Sequence, residues 1–450
     1  EAFPKADLED WKNLSYPELA EKVLAGFLTD YSADFLHNAT AATYGAAFDG
    51  KAGRTVKVRE GLYSLELWHG PTCAFKDYAL QLMPKLLVEA KKMLGRTETT
   101  RILVATSGDT GKAALAGYAD LDGIEIEVFY PNDGTSEIQH LQMATQKGGN
   151  VQVYAVQGNF DDAQTGVKKV FADAAVAAEL EKRGIRLSSA NSINWGRLVP
   201  QIVYYFYAYF RLAEQGAVAW GKPVDFCVPT GNFGDILAGY YAKQMGLPVG
   251  KLVCASNKNN VLTDFLTTGT YDARRTFYKT TSPSMDILIS SNLERLLCHI
   301  SGSSEKVAGW MQELNTTGKY TVDAETLEKI RETFAAGYAD DAEGAAEIKA
   351  RFDEDHYLCD THTAVAFRVA ETVRTEAPMV VLSTASPFKF PRDVLAALGQ
   401  QAPVSDFAAM AALTAKTGAE APASLRELDK QEVRFKTVLQ PAEIRAAALK

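Results

Sequence analysis

Several things are scarce in this 450-residue chain. Only five cysteines occur, at 73, 227, 254, 298 and 359, scattered and with no CxxC pair. That excludes a disulfide framework and a thiolate zinc site, and it points to reduced, buried small hydrophobes in a cytoplasmic protein. Positive charge is in deficit: 47 Lys and Arg face 56 Asp and Glu, a formal net charge of −9. Phosphate backbones are met with clustered cations, so no nucleic acid is expected as a partner. No apolar run approaches membrane-spanning length and none resembles a signal h-region, so no membrane is expected either. Internal repeats and low-complexity linkers are missing too. The chain opens at Glu1 with no initiator Met, which suggests a missing first segment.

What is present is apolar material for large cores, 47% of residues, in a chain too long for one of them. Ser15-Tyr16-Pro17-Glu18 has capping-box spacing ahead of an apolar stripe, so residues 1–60 are expected to be helical. Gly45 to Arg54 reads as a loop-like passage. From Arg101 the rhythm is strand, turn, helix: strands at Ile102–Ala105, Ile124–Tyr130 and Val151–Val156, with an Ala-rich helix from about Asp161 to Lys182. A second set has strands at Val224–Val228, Leu252–Ala255 and Met379–Ser383, and helices near Asn292–Met311, Ala324–Phe334 and His362–Val373. Such alternation means parallel sheets covered by helices. Asp264 to Asp286 is turn-rich and carries no assignment. The tail after Gly399 is helical in pieces.

The stretch His69–Asp77, HGPTCAFKD, lies between a strand (Leu62–Leu67) and a helix beginning near Phe75. Lys76 therefore opens a helix among Cys73, Ala74 and Phe75. The helix dipole and apolar neighbours both disfavour a charged amine, and a neutral lysine attacks carbonyls to form a Schiff base. Most lysines of this kind are simply snorkelling surface residues.

Three further strand-to-helix turns matter. Gly231-Asn232-Phe233-Gly234-Asp235 offers backbone N–H groups at a helix start, a nest for an anion such as phosphate, though most Gly-rich turns are only turns. Ser107-Gly108-Asp109-Thr110-Gly111 carries two hydroxyls and a carboxylate. Gly111-Lys112 invites comparison with GxxxxGK[ST], but Thr106 and Ala113 break that pattern. Asn191, Ser192, Asn194 and Arg197 gather amides, a hydroxyl and a phosphate-suited guanidinium, or else form an ordinary helix cap. Thr384 follows a buried strand, at the sheet edge where ligands sit in open α/β folds, and Lys389 comes just after it.

In this order, HGPTxxFKD, TSGDTG, NSIN..R, PTGNFGD and STAxPxKF closely resemble the threonine synthases, pyridoxal-phosphate enzymes of the tryptophan-synthase-β fold family. The resemblance runs to about Gly399 and is closest to the longer form with an extra N-terminal domain. It implies fold type II: two open, mostly parallel twisted sheets with flanking helices, plus an N-terminal helical domain. The implied division is 1–60 N-terminal; 61–100 with 200–400 as the large cofactor-binding domain; 101–199 as the small domain; and 401–450 as a helical tail.

The resemblance also implies roles. Lys76 holds pyridoxal 5'-phosphate by a Schiff base and acts as the catalytic base. Gly231, Asn232, Phe233, Gly234 and Asp235 cradle the cofactor phosphate, Asp109 lies near the ring 3-hydroxyl, and Thr384 faces the pyridine nitrogen. Ser107, Thr110, Asn191, Ser192, Asn194, Arg197 and Lys389 grip the substrate, O-phospho-L-homoserine. Lys112, where small residues are usual, and Trp195-Gly196 depart from the family pattern. The expected assembly is a monomer or homodimer. The rivals are a serine/threonine dehydratase or β-replacing synthase on the same fold, an ATP-binding phosphotransferase built on Ser107–Lys112, and a non-catalytic relative.

Overall fold

A computed structural model describes residues 3–132 and 135–450. The chain forms two compact units. The first takes the chain to Trp68 together with Leu198–Pro387 and Asp393–Gln401; the second takes His69–Arg197, Phe388–Arg392 and Ala402–Lys450.

The first unit is built on a six-stranded sheet in the order Arg54–Arg59, Leu62–Glu66, Met379–Ser383, Val224–Pro229, Val249–Ser256 and Phe334–Tyr338. Its outer pair Arg54–Arg59 and Leu62–Glu66 is antiparallel, and the other neighbours are parallel. All five residues of Leu62–Glu66 are buried, although their polar members alternate as if facing water. Ser64 and Glu66 meet the Tyr357 hydroxyl instead, at 2.7 and 3.3 Å, so the polar stripe is satisfied inside the protein. The helix Ile202–Glu214 is buried through Tyr204, Tyr205, Phe206, Tyr209 and Phe210. The N-terminal helix Tyr16–Ala25 starts in a capping box, as expected, and packs its Tyr16 ring against Tyr44 and Tyr207.

The second unit holds a five-stranded, all-parallel sheet in the order Val438–Leu439, Val151–Val156, Ile124–Pro131, Thr99–Ala105, Ile185–Ser188. Alternate residues feed two cores. Ile102, Val104, Ile126 and Val128 pack with Leu115, Tyr118 and Met143. Leu103 and Phe129 pack with Val167, Leu180 and Ile444. Burial on both faces is why these strands read as continuous apolar runs.

The division corrects the expected one. Residues 69–100 belong with the second unit, because Leu80 and Met83 are buried in its core. Residues 401–450 are no separate tail: Val438–Leu439 is an edge strand there and Ile444 fills the second core. Residues 1–60 belong to the first unit. The Gly45–Arg54 passage leads into the strand Arg54–Arg59. The expected 161–182 helix is two, broken where Asp173 turns its carboxylate to the N–H groups of Ala175 and Val176. Similarly, 292–311 splits into Leu293–Ser301 and Ser304–Thr317 at Gly302, whose φ is 64°.

Candidate active site

In the second unit, the HGPTCAFKD turn is stapled by its own last residue. Asp77 is buried and accepts from the Thr72 N–H at 2.8 Å, the Thr72 hydroxyl at 2.7 Å and the Gln81 amide at 3.1 Å. Gly70 has no alternative: a Cβ there would lie 2.6 Å from an Asp77 carboxylate oxygen. Cys73 takes a left-handed φ of 61° to complete the turn. Burial pushes the Asp77 carboxyl up to about 6 against the Thr72 hydrogen bonds, which favour the anion.

Lys76 is the cap residue of the helix Asp77–Leu80, with its side chain 10% exposed. That helix is a single turn, so the dipole argument carries less than expected. Instead, Lys76 Nζ lies 3.8 Å from Asp109 Oδ2 and 4.8 Å from the Phe75 ring centroid. The local sequence does not reveal that opposite charge.

Asp109 begins the helix Asp109–Tyr118. Thr106 shapes the turn before it, its hydroxyl oxygen accepting the N–H groups of Gly108 and Gly111 at 3.0 Å each. Gly108 has a φ of 146°, and a Cβ there would meet the Gln139 amide at 2.5 Å. The Asp109 carboxylate pairs with Lys389 Nζ at 2.7 Å and accepts from Gln139 at 3.0 Å. Burial alone would raise this carboxyl, but the Lys389 and Lys76 ammonium groups outweigh it and hold it well below the usual carboxylate range. Lys112, on the same helix, bonds the Gln146 side chain at 2.6 Å, and burial lowers its amine to about 8.

Lys76, Asp109 and Lys389 are thus brought together. Lys389, expected to grip the substrate, is held here by groups of the protein. Its side chain is fully buried and also donates to the Thr72 carbonyl at 3.1 Å, so its charge is committed to Asp109 and the stapled turn. Ser107 and Thr110 flank Asp109 half-buried. Asn191 is exposed, Ser192 and Asn194 are half-buried, and Asn194 caps its turn by accepting the Gly196 N–H at 2.9 Å. Arg197 is buried, donates to the Ala190 carbonyl at 2.8 Å, and is lowered to about 10 by burial.

In the first unit, Gly231–Asp235 links the strand Val224–Pro229 to the helix Gly234–Gln244. Phe233 holds a φ of 64° with its ring fully buried 5.7 Å from that of Phe334, which opens the first helical N–H groups. The carbonyls of Gly231 and Asn232 are tied from behind: Ser290 donates to Gly231 at 3.3 Å, and the Asn292 side chain and backbone donate to Asn232 at 3.0 and 3.1 Å. With the carbonyls so engaged, the turn is left with donors for an anion. The Asp235 carboxylate accepts the Ile236 N–H at 2.9 Å, so only the backbone of Asp235 can serve an anion. Thr384, buried, directly follows the strand Met379–Ser383.

Sequence reasoning missed several of these groups. Thr72 and Asp77 lie within the quoted motif, and an Asp five residues after a Thr in a turn was a readable signal for a staple. Gln139 had none. The strap from Thr280 to Asn292, in and beyond the unassigned stretch, buries a polar knot in which Asn257 donates to Ser282 and Asp286, and Asn259 to Asp286. No group of three or more His, Cys, Asp and Glu among the described residues could hold a metal.

Against known proteins, residues 52–384 match the model of the pyridoxal-phosphate dependent enzyme family, and residues 363–447 match that of the threonine synthase C-terminal region. "Threonine synthase-like 1" of Homo sapiens is 40% identical over 414 residues, covering 88% of this chain but 55% of that protein. The chain thus spans about half the length of the first curated relatives it matches. "Threonine synthase" of Pseudomonas aeruginosa is 40% identical over 410 residues, covering 90% of this chain and 85% of its own. The pyridoxal-phosphate-bound crystal structure of threonine synthase from Brucella melitensis superposes with a TM-score of 0.89 at 38% identity, covering 100% of this chain and 92% of that one. The yeast threonine synthase structure gives 0.87 at 33% identity, covering 99% and 91%.

Proposed function

We infer the activity from one premise: the chain belongs to the pyridoxal-phosphate-dependent enzymes and, within them, to the threonine synthase family. The proposed reaction converts O-phospho-L-homoserine and water to L-threonine and phosphate. The proposed cofactor is pyridoxal 5'-phosphate, and this chain's residues fit it. A lysine amine stands ready for its aldehyde, and the Gly231–Asp235 turn presents donors at the start of an 11-residue helix for its phosphate. When bound, the cofactor is an electron sink for negative charge at the substrate's α- and β-carbons.

The remaining work falls to side chains. Lys76 would hold the cofactor by its aldehyde, and its amine would serve as the base that takes the proton at Cα and moves one at Cβ. Asp109, fixed by Lys389 and Gln139, and Thr384 would be the polar side chains offered to the cofactor's ring. Ser107, Thr110, Asn191, Ser192, Asn194 and Arg197 hold the substrate's carboxylate and phosphate. Arg197 supports loss of phosphate from Cγ by matching the charge that develops on the leaving group. Lys389 is a positioning residue for Asp109. Four buried free cysteines support a reducing compartment, which we take to be the cytoplasm. No helix among the described residues is long and apolar enough to cross a membrane.

The observation that carries this reading is Lys76 beside a carboxylate that is itself locked by a second, buried lysine. Release of inorganic phosphate with threonine from O-phospho-L-homoserine tests it. Ammonia release from threonine or serine, with no phosphate from O-phospho-L-homoserine, would assign the chain to a dehydratase instead.

A further inference from the structure

The anion-holding turn of the first unit is flanked by a strap whose position is set by a buried acid–histidine pair. Asp360, fully buried, caps the helix Thr361–Thr372 and meets His362 Nδ1 with Oδ2 at 2.7 Å. Its other oxygen accepts from the Thr363 N–H at 3.1 Å and from the Thr363 hydroxyl. On the far side of the ring, His362 Nε2 accepts the backbone N–H of Ser284 at 3.2 Å. An N–H aimed at Nε2 requires a lone pair there, so the ring proton sits on Nδ1 and is donated to Asp360.

Ser284 lies in the short turn Pro283–Met285, and its carbonyl oxygen stands where a Cβ on Gly231 would lie 2.7 Å away. The strap is pinned on both sides of Ser284, with Asn257 holding Ser282 at 3.0 Å and Asp286 at 2.8 Å. At Ser284 itself, the residue whose carbonyl faces Gly231, the strap is held by its N–H bond to His362. A buried carboxylate that orients a neutral imidazole is an expensive way to satisfy one N–H unless the orientation of that N–H matters.

We propose that Asp360 and His362 are positioning residues for the cofactor-phosphate turn: through the Ser284 backbone they set the strap against Gly231 and so fix the spacing of the Gly231–Asp235 donors. This rests on the reading of that turn as the phosphate cradle. In this proposal both residues act through Ser284 rather than on the cofactor itself.

The test strips the cofactor and titrates the apoprotein with pyridoxal 5'-phosphate and, separately, with pyridoxal, which lacks the phosphate. His362→Leu removes the acceptor, Asp360→Asn removes the anion that fixes the ring tautomer, and His362→Gln keeps an acceptor. The first two should lose about 10-fold in affinity for pyridoxal phosphate, the scale of one unpaired buried N–H, with pyridoxal affinity unchanged. His362→Gln should recover most of the loss. Hydrogen exchange at 231–235 in the apoprotein should quicken in His362→Leu. Equal losses for both ligands, or His362→Leu binding as tightly as the wild type, would overturn the proposal. Failure of the wild type to prefer pyridoxal phosphate over pyridoxal would instead overturn the phosphate-cradle reading. Imidazole nitrogen shifts of the wild-type protein decide the geometry without any substitution: a proton on Nδ1 supports it, a proton on Nε2 overturns it.

Discussion

Lys389 Nζ lies 2.7 Å from Asp109 Oδ1, and both side chains are shut off from solvent. The fold brings them together from distant parts of the chain, Asp109 at a helix start and Lys389 in the Phe388–Arg392 segment that joins the second unit. Without Lys389, the carboxylate beside Lys76 would lose the ammonium group that lies nearer to it.

Lys389→Met keeps an unbranched chain and removes the charge. Breaking a buried pair from one side costs about 3–5 kcal/mol, because the partner charge stays behind. The expected result is a clear fall in the urea midpoint with an unchanged slope, and a weakened Lys76-dependent activity. An unaltered midpoint would show that the pair does not hold Asp109.

Asp77 gives a pH dependence. Its carboxyl is raised from 3.8 to about 6 on folding. The folded state therefore binds this proton more tightly than the unfolded chain does. The stabilisation is fully present below pH about 4 and is lost as the pH rises through about 6. Asp77→Asn cannot titrate, so the stability of the wild type relative to this variant should grow by up to about 3 kcal/mol from pH 7 to pH 4. Denaturant unfolding of both proteins across that range checks it; a difference that shrinks on acidification would contradict the burial-dominated reading.

Gly117, on the helix that starts at Asp109, packs against the end of the helix that follows Lys76. A Cβ there would sit 1.9 Å from the Leu80 carbonyl oxygen, which cannot move without its helix. Gly117→Ala should cost about 1–3 kcal/mol as overpacking. It should also lower activity beyond the lost stability, since Lys76 and Asp109 are carried apart. Wild-type activity in a stably folded Gly117→Ala protein would mean that the 3.8 Å spacing is not needed.

Much of this was legible in the residues. Strong apolar runs announced the parallel strands, with Val151–Val156 and Met379–Ser383 falling where expected. Gly-rich turns after strands marked where Lys76, Asp109 and Gly231 stand. What could not be read lacked local periodicity or depended on distant partners. Val438–Leu439 is two residues long and becomes a strand only by pairing with Val151–Val156. The strap from Thr280 to Asn292 is held by side chains of Asn257, Asn259 and His362, so its own composition looked like loop. Lys389 looked like a free cation for a phosphate because nothing near it in sequence announces Asp109.

In the proposed chemistry the Lys76 amine holds the cofactor and drives turnover. An absorbance spectrum of the purified protein with pyridoxal 5'-phosphate, followed by phosphate and threonine assays on O-phospho-L-homoserine, tests it for the wild type and Lys76→Ala side by side. The expected result is a visible absorbance band and equal yields of phosphate and threonine for the wild type, with neither for the variant. A Lys76→Ala protein that is yellow and active would contradict the claim outright.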